Sequence, residues 1–246
     1  MFSIFKSKKK QVTDISWVRT DIHSHLLPGI DDGVKDVETS IKFITALIDL
    51  GYEQFIVTPH IYDEVHPNTP ASINAAHQQL YAVMEQRGLA DLYLHSAAEY
   101  MLGEQFSSLL TAGDMKVYPD QHLLIEMPYI AEPMQLEQTI FEIGVKGYKP
   151  IMAHPERYVF YFNNPQAYHR LKEMGCLLQL NLLSPTGYYG REVAKAASYM
   201  IKNGLYDLVG TDLHHERHLA KLTKYIKSGD AYRELGHLGL KNKELF

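Results

Sequence analysis

The chain contains little cysteine and no long apolar segment, and both absences limit what the protein can be. Its single cysteine, Cys176, cannot form an internal disulfide, which favours a reducing cytoplasm. No stretch approaches the roughly 20 apolar residues of a membrane-spanning helix. Too few apolar residues precede the N-terminal lysine run for a secretory signal peptide. The 24 Lys and Arg residues are outnumbered by 29 Asp and Glu, so no general basic field indicates a nucleic-acid partner.

The sequence also lacks a Pro/Gly/Ser-rich linker, and its 246 residues fit one α/β domain. We predict a flexible basic N-terminal arm over residues 1–16 and a single domain over 17–246. The apolar residues and lysines of the arm could make weak peripheral contact with an anionic membrane, at about 1 kcal/mol per lysine. The arm could equally be a solvated tail, since one short segment is a weak anchor without a second signal. The sequence leaves the oligomeric state open.

Short apolar runs alternate along the chain with patterns of helical spacing. The helical pattern that contains Val37, Ile41 and Ile44 begins after Asp36, a candidate N-cap, and ends at Gly51. Such alternation is typical of parallel strands joined by helical crossovers. The predicted strands cover residues 17–22, 55–57, 92–94, 122–125, 148–152, 176–180 and 207–209.

Potential metal ligands follow six of these seven strands. Parallel β/α folds gather the C-terminal ends of their strands at one face, where such folds place their active sites. A closed or distorted (β/α)7 barrel explains this distribution better than an open sheet, in which ligands would concentrate at one switch point. The candidate ligands are His23, His25, Asp32, His60, Glu99, Glu126, His154, Asp212 and His214.

The composition of this ligand set indicates its chemistry. His23 and His25 are two residues apart on an extended segment, so their side chains point to the same side. Nitrogen and oxygen ligands without thiolate suit manganese, iron or zinc. Nine ligands are too many for one ion, whereas two or three ions that share bridging carboxylates would use them all.

Clustered divalent ions about 3.5–4 Å apart are a common device for hydrolysing phosphate esters. Arg157 follows His154 by three residues and could bind two phosphoryl oxygens through its guanidinium. It could instead form a surface ion pair with Glu156. Cys176 lacks the Cys-x5-Arg loop that a thiol-based phosphatase requires. The sequence therefore predicts a metal-dependent phosphatase.

Some further residues have two interpretations. His95 and His122 could orient the ligand carboxylates, or they could have no part in the site. The aromatic run at residues 158–162 could stack on a substrate ring or pack against the next helix.

Four motifs together resemble the polymerase and histidinol phosphatase (PHP) superfamily. They are Asp-Ile-His-Ser-His-Leu-Leu-Pro-Gly-Ile-Asp-Asp-Gly at 21–33, Thr-Pro-His at 58–60, Ile-Glu-Met-Pro at 125–128 and Ala-His-Pro-Glu-Arg-Tyr at 153–158. The resemblance runs from about Trp17 to His218. It is strongest to the bacterial manganese-dependent tyrosine-protein phosphatases associated with capsule and exopolysaccharide synthesis. It implies a distorted seven-unit β/α barrel with three divalent metal ions, manganese or alternatively iron or zinc. The implied substrate is the phosphotyrosine tail of a bacterial tyrosine kinase.

The resemblance also implies which residues share each ion. The implied ligand sets are His23, His25, Glu99 and Asp212 for one ion, Glu99, Glu126 and His154 for a second, and Asp32, His60 and His214 for a third. Asp32 is chosen over Asp31 because it immediately precedes Gly33, as the family motif requires. Arg157 matches the phosphate-contacting arginine. Arg217 is the candidate for a second arginine after the last Asp-x-His, although its flanking residues depart from the family pattern.

The leaving group helps to separate the possible functions. A tyrosine phenolate leaves with a pKa of about 10, so a metal-activated hydroxide can act on it with little help from a general acid. An alkyl phosphate would need a proton donor, for which His215 and His218 are candidates unless they are ordinary exposed histidines. The alternatives are a histidinol-phosphate phosphatase and a non-catalytic phosphotyrosine-binding module. A proofreading exonuclease is disfavoured because the chain lacks a basic, aromatic groove pattern.

Overall fold

The strands of this protein are short, and within the described residues they all pair in parallel. The structure is a computed structural model that describes residues 11–245. The strands are β1 (Thr20–Asp21), β2 (Gln54–Val57), β3 (His60–Ile61), β4 (Tyr93–Ser96), β5 (Glu99–Met101), β6 (His122–Glu126), β7 (Lys149–Ala153), β8 (Leu177–Asn181) and β9 (Leu208–Gly210). One sheet has the order β1-β2-β4, and the other has the order β3-β5-β6-β7-β8-β9.

Helices connect and flank these strands. The α-helices of the described range are α1 (Val37–Leu50), α2 (Pro70–Gln86), α3 (Glu104–Ala112), α4 (Leu136–Val145), α5 (Gln166–Glu173), α6 (Arg191–Lys202), α7 (Glu216–Lys227) and α8 (Asp230–Leu235). Short 3-10 helices cover Pro119–Gln121, Pro155–Arg157, Val159–Tyr161, Ser184–Thr186 and Asn242–Glu244. None of the helices described here is long and apolar enough to cross a bilayer.

Both predicted ends of α1 are confirmed. The Asp36 carboxylate accepts a hydrogen bond from the Thr39 backbone N–H at 2.8 Å, which satisfies a free donor of the first turn. Gly51 ends the helix in the left-handed conformation, with φ 108°, a value that glycine adopts without steric cost.

The seven predicted strands are all present, but β3 and β5 were not predicted. Each begins after a two-residue break, at residues 58–59 and 97–98. Pro59 has no N–H to donate to a ladder, so the chain leaves the first sheet there and joins the second. His60 then pairs directly with Glu99. These two candidate ligands therefore begin the strands of the second sheet, and do not simply follow the strands of the first.

The predicted distorted barrel is not confirmed, whereas a mixed α/β fold with parallel sheets is. The hydrogen-bonded ladders of residues 11–245 form two open sheets and no closed one. Where a barrel would join its first and last strands, there is only an isolated parallel bridge between Ser24 and Leu213. β1 ends at Asp21 and β9 at Gly210, and the left-handed backbone of Asp212 interrupts the extended chain before Leu213.

A central apolar cluster lies between the two sheets. It takes buried side chains from most of the strand segments, including Ile22, Ile56, Ala97, Leu124, Ile151 and Leu208. The neighbouring Ile125 belongs instead to a larger outer cluster that packs the helices against the strands, as expected when successive side chains point to opposite faces. Glu126 lies two residues beyond Leu124 on β6, so its side chain points to the same face as Leu124 and lies at one end of this packed interior.

The packed region begins earlier than predicted. Ile15 lies within the predicted arm of residues 1–16, yet its side chain is fully buried. Its backbone N–H donates to Leu50 O at 2.8 Å, and the neighbouring Trp17 ring packs edge-on against Tyr232. The domain boundary therefore precedes Ile15. The lysine run, with its predicted membrane contact, lies outside the described residues.

Gly210 allows β9 to approach the His-x-His segment closely. A Cβ atom at this position would lie 2.5 Å from His23 Cβ and 2.9 Å from Gln179 Nε2. Real side chains do not approach so closely, so any larger residue would push β9 away from the candidate ligand His23.

We predict that Gly210→Ala destabilises the fold by about 1–3 kcal/mol, because the added methyl group overpacks this contact. Urea unfolding followed by circular dichroism would measure the change. The matched control is Gly144→Ala in α4, where an added Cβ meets nothing within 4 Å. This control should stabilise the helix by about 0.5–1 kcal/mol. A Gly210→Ala protein as stable as wild type would contradict the proposed close approach.

Candidate metal centre

All nine predicted ligands meet in one cluster, although His60 and Glu99 begin β3 and β5 whereas the others end or follow a strand. They form four overlapping groups in which the ligand atoms lie within 4.8 Å of one another. The groups are His23–His25–Glu99, His23–His154–Asp212, His60–Glu99–Glu126 and His25–Asp32–His60–His214. Because the groups share members, the nine side chains make one continuous cluster that is too large for a single ion.

The cluster borders a cavity of about 270 Å³. Two larger clefts, of about 550 and 650 Å³, contain none of the nine ligands, so it is chemistry and not volume that identifies the site. Besides the ligands that reach the cavity, its walls include Tyr62, Val65, His66, Met101, Tyr129 and Arg157.

Hydrogen bonds fix which nitrogen of His23 and His25 is free. His23 Nδ1 lies 3.0 Å from Gln179 Oε1, and the Gln179 amide nitrogen donates to Leu180 O, so the amide oxygen faces the imidazole. His25 Nδ1 lies 2.8 Å from Asp31 Oδ2. Each Nδ1 therefore carries the proton, because its partner only accepts. The two Nε2 atoms, which are 3.3 Å apart, are left with lone pairs.

Two carboxylates each place one oxygen near both of these Nε2 atoms. Glu99 Oε2 lies 3.2 Å from His23 Nε2 and 3.5 Å from His25 Nε2. Asp212 Oδ1 lies 3.4 and 3.3 Å from the same two nitrogens. Four lone-pair donors in a fully buried space repel one another unless a cation lies between them. The donor set and its tautomers thus fit a divalent metal ion.

The pKa values of His23 and Glu99 also indicate that positive charge stabilises the cluster. Burial lowers the pKa of His23, but Glu99 and Asp212 raise it by more, so it lies above its ordinary value. Burial raises the pKa of Glu99, whereas His23 and His60 lower it well below its ordinary value. The Glu99 carboxylate is therefore ionised, and a proton or a metal ion must balance its negative charge.

His60 links two parts of the cluster. Its Nδ1 lies 3.2 Å from Glu99 Oε2 and 3.1 Å from Glu126 Oε1. Its Nε2 lies 3.6 Å from Asp32 Oδ1, and His214 Nε2 is 3.3 Å from the same oxygen. The family resemblance placed His60 only with Asp32 and His214. In the structure it also lies against Glu126.

Two ligands have strained backbones. His154 has φ 32° and Asp212 has φ 49°, left-handed values that cost non-glycine residues about 1–3 kcal/mol. This backbone brings His154 Nε2 to 3.0 Å from Glu99 Oε1. The buried His154 Nδ1 has no hydrogen-bond partner among the described residues. Strain at two ligands is a mark of a functional site.

Arg157 is held over the cavity by one ion pair and two aromatic rings. Its Nη1 donates to Asp212 Oδ2 at 2.7 Å, and its guanidinium carbon lies 4.5 Å from the Tyr189 ring centre and 5.3 Å from that of Tyr129. The alternative prediction of a surface ion pair with Glu156 is wrong. Glu156 is buried and accepts hydrogen bonds from a backbone amide and two hydroxyl groups.

The candidate second arginine and the two candidate proton donors, which follow His214, are not part of the cavity lining. Arg217 is exposed on α7, so its role stays a prediction. His215 is exposed and caps α7, accepting from the His218 backbone N–H at 3.4 Å. His218 is buried, and its Nδ1 accepts from His214 N at 3.3 Å. Neither histidine faces the cavity.

Several residues around the cluster were not predicted. Asp31 and Gln179 hold the imidazoles of His23 and His25, and Tyr129 forms part of the cavity wall. His66 stacks on His60 with ring centres 5.3 Å apart. Gln179 had a sequence signal, because it is a polar residue within an otherwise apolar strand. Tyr129 and His66 had none, since only the folded loops bring them to the cavity.

For His95, His122 and Tyr158, the structure favours a structural role over a role in the site. His95 and His122 form hydrogen bonds with backbone carbonyls, not with ligand carboxylates. Tyr158 is buried, and its hydroxyl accepts from a backbone amide at 2.9 Å, so it packs the core. Burial raises the pKa of Cys176 to about 12, which makes the thiol a poor nucleophile.

A parallel α/β fold that gathers a shared cluster of histidines and carboxylates at one cavity is typical of a metalloenzyme. Comparison of the sequence with known families identifies the particular group. The chain matches the family described as "Capsular polysaccharide synthesis, CpsB/CapC" over residues 19–233, and it belongs to that family.

Two relatives illustrate the likeness over most of the chain. Tyrosine-protein phosphatase YwqE of Bacillus subtilis is 28% identical over 228 residues, covering 92% of this chain and 90% of the relative. Tyrosine-protein phosphatase CpsB of Streptococcus pneumoniae is 24% identical over 200 residues, covering 79% of this chain and 82% of the relative.

Solved structures extend the comparison to the fold. A chain from the crystal structures of YwqE and CpsB, described as metal-dependent tyrosine phosphatases, matches with a TM-score of 0.79 at 26% identity. The match covers 92% of this chain and 93% of that chain. The lactonase Lmo2620 of Listeria monocytogenes matches with a TM-score of 0.54 at 12% identity, covering 96% of this chain and 91% of that chain, and shares the fold alone.

We predict that Asp31→Asn weakens manganese binding by about 10–100-fold, because the amide no longer fixes the tautomer and charge of His25. Isothermal titration calorimetry of the metal-free protein with manganese would measure the loss. Asp91→Asn, at an exposed residue outside the cavity, is the matched control and should bind as wild type does. Equal affinity in the two variants would remove Asp31 from the site.

Proposed function

We propose that this protein is a metal-dependent protein-tyrosine phosphatase that hydrolyses phosphotyrosine to tyrosine and inorganic phosphate. The observation that carries the proposal is the nine-ligand cluster with Arg157 beside it on one cavity of about 270 Å³. The relatives named tyrosine-protein phosphatases support the same reaction.

We assign three divalent ions to the cluster, manganese first, with iron or zinc as alternatives that the ligands also accept. Such ions, when bound, lower the pKa of water and neutralise charge on phosphate oxygens. The proposed ligand sets are His23, His25, Glu99 and Asp212; Glu99, Glu126 and His154; and Asp32, His60 and His214. Two of the four groups, His23–His25–Glu99 and His25–Asp32–His60–His214, support the first and third sets. The second set is supported by His154 Nε2, which lies 3.0 Å from Glu99 Oε1 and 4.0 Å from Glu126 Oε2, and His60 lies near both Glu126 and Asp32.

Arg157 is placed to bind the phosphate of the substrate. One guanidinium nitrogen is occupied by Asp212, and the remaining N–H groups of the fork can donate to phosphoryl oxygens. The flanking Tyr129 and Tyr189 rings keep the guanidinium in place. Arg157 would therefore orient the ester and stabilise the charge that develops on it.

The cavity also suits an aryl leaving group. The Tyr129 side chain is part of the wall, is 37% exposed and stacks near the His154 ring, so one face of it can meet the tyrosine ring of the substrate. A phenolate leaves without a strong proton donor. That agrees with the positions of His215 and His218 outside the cavity lining.

We further propose that the two sheets are parts of one distorted seven-unit barrel. The Ser24–Leu213 bridge supports this, as does the central cluster to which strands of both sheets contribute. A barrel of this kind would explain why ligands from the first and last strand segments meet around Glu99.

The proposed substrate is the phosphorylated tyrosine tail of a bacterial tyrosine kinase that regulates capsular and exopolysaccharide synthesis. The family description supports this setting. We place the reaction in the cytoplasm, where the single free cysteine would remain reduced.

The test is the steady-state turnover of a phosphotyrosine peptide and of histidinol phosphate by the manganese-loaded protein. We expect preference for the peptide. The His154→Ala variant should lose about 100-fold or more of this activity, since even indirect ligand partners contribute 10–100-fold. His237→Ala, an exposed histidine outside the cavity, should keep full activity.

Other outcomes would change the assignment. Preference for histidinol phosphate would make the protein a histidinol-phosphate phosphatase. A fully metallated protein that binds the peptide but turns over neither substrate would be a phosphotyrosine-binding module.

We predict that Arg157→Lys lowers kcat/KM for the peptide by about 100-fold while metal content stays unchanged, because an ammonium cannot reproduce the bidentate fork. Peptide kinetics and metal analysis of the purified protein would measure both. Arg87→Lys alters an exposed arginine that pairs with Glu38, and should have no effect. Wild-type kinetics in the Arg157 variant would show that Arg157 does not contact the phosphate.

A further inference from the structure

A second cleft, of about 550 Å³, runs along α7 and has no part in the chemistry proposed above. Its walls come from the segment 185–188, from α7 and from the start of α8. It contains none of the nine candidate metal ligands.

The cleft carries positive charge that the protein does not neutralise. Lys221 and Lys224 line it from α7 and are exposed, and within residues 11–245 neither side chain makes an ion pair or hydrogen bond. The acidic residues of the same cleft are already paired. Asp230 pairs with Arg233, and Glu234 accepts from the Tyr225 hydroxyl at 2.8 Å and pairs with Arg233. Because Asp230 and Glu234 share the single charge of Arg233, these three side chains together carry one negative charge, and the two lysines leave the cleft with one net positive charge.

Packed aromatic side chains connect this cleft with the phosphate-binding arginine. Tyr188 lines the cleft, and its ring packs edge-on against Tyr189 with centres 5.0 Å apart. Tyr189 in turn lies 4.5 Å from the Arg157 guanidinium. The start of α7 directly follows the candidate ligand His214. The cleft and the cavity are therefore separated by the packed rings of Tyr188 and Tyr189.

We propose that this cleft binds the acidic peptide segment that flanks the phosphotyrosine of the substrate. The inference rests on the proposed function and names its substrate more closely. The protein has a formal net charge of −5, so an acidic peptide is repelled overall and needs a local basic surface to bind. The unpaired lysines supply that surface next to the cavity.

The helix geometry predicts which peptide residues reach the cleft. Lys221 and Lys224 lie five and eight residues beyond Glu216, the first residue of α7, which is about 7.5 and 12 Å along the helix, and His214 lies two residues before that start, across the extended His215. An extended peptide covers roughly 3.3–3.6 Å per residue. The acidic residues should therefore lie about three to five positions from the phosphotyrosine.

The experiment compares two phosphotyrosine peptides, one with glutamates and one with glutamines three to five residues from the phosphotyrosine on both sides. The manganese-loaded full chain should show a KM about 10-fold lower for the glutamate peptide at low salt. The variant Lys221→Glu/Lys224→Glu should abolish that difference while kcat and the turnover of p-nitrophenyl phosphate, which has no flanking residues, stay unchanged.

Lys202→Glu/Lys227→Glu is the matched control, because it makes the same change of charge at exposed residues in the last turns of α6 and α7. It should keep the preference of the wild type for the glutamate peptide. A lysine-containing peptide should regain a low KM with the Lys221→Glu/Lys224→Glu variant.

Three results would overturn the inference. Equal KM values for both peptides with the wild type would show that the cleft does not read acidic residues, and would leave the phosphatase function intact. Lysine-dependent binding to anionic vesicles, with no difference between the peptides, would assign the cleft to a membrane. If neither the peptides nor p-nitrophenyl phosphate is turned over, the proposed function itself fails, and the inference fails with it.

Discussion

The structure depends on the balance of charge around Glu99. This fully buried carboxylate lies within about 3.5 Å of four imidazole nitrogens from three different parts of the chain: those of His23 and His25, of His60 and of His154. Lone pairs and ionised oxygens cannot share a dry space without positive charge between them. The divalent ions that we propose would supply that charge, and they would link the ends of strands that hydrogen bonds alone leave in two sheets.

The surrounding fold accepts local strain to keep this arrangement. His154 and Asp212 adopt left-handed backbone conformations, and Gly210 lets β9 approach His23 more closely than any Cβ would allow. Around the ligands, Asp31 and Gln179 hold the imidazole rings through their other nitrogens. The strained backbones of His154 and Asp212 therefore lower the stability of the fold at the residues whose geometry the proposed chemistry requires.

Much of the fold and the site could be predicted from the sequence. Ligands such as His23 and His154 lie in short local motifs, and the apolar runs before them have the length of strands. β3 and β5 were missed because they are only two and three residues long and continue earlier strands after a break. The partners of Arg157 were missed because Asp212 and Tyr129 are far from it or unmarked in the sequence.

The sequence by itself determined the ligand types, their order along parallel strands, and hence the class of chemistry, because these depend on residue identity and local spacing. Only the tertiary structure decided which candidate ligands lie close to one another, which nitrogen of His23 and of His25 is free, and that Arg157 pairs with Asp212 and not with its neighbour Glu156. Those features depend on distances between segments far apart in the chain. Strand register, backbone strain and side-chain packing set such distances together, and no local pattern encodes them.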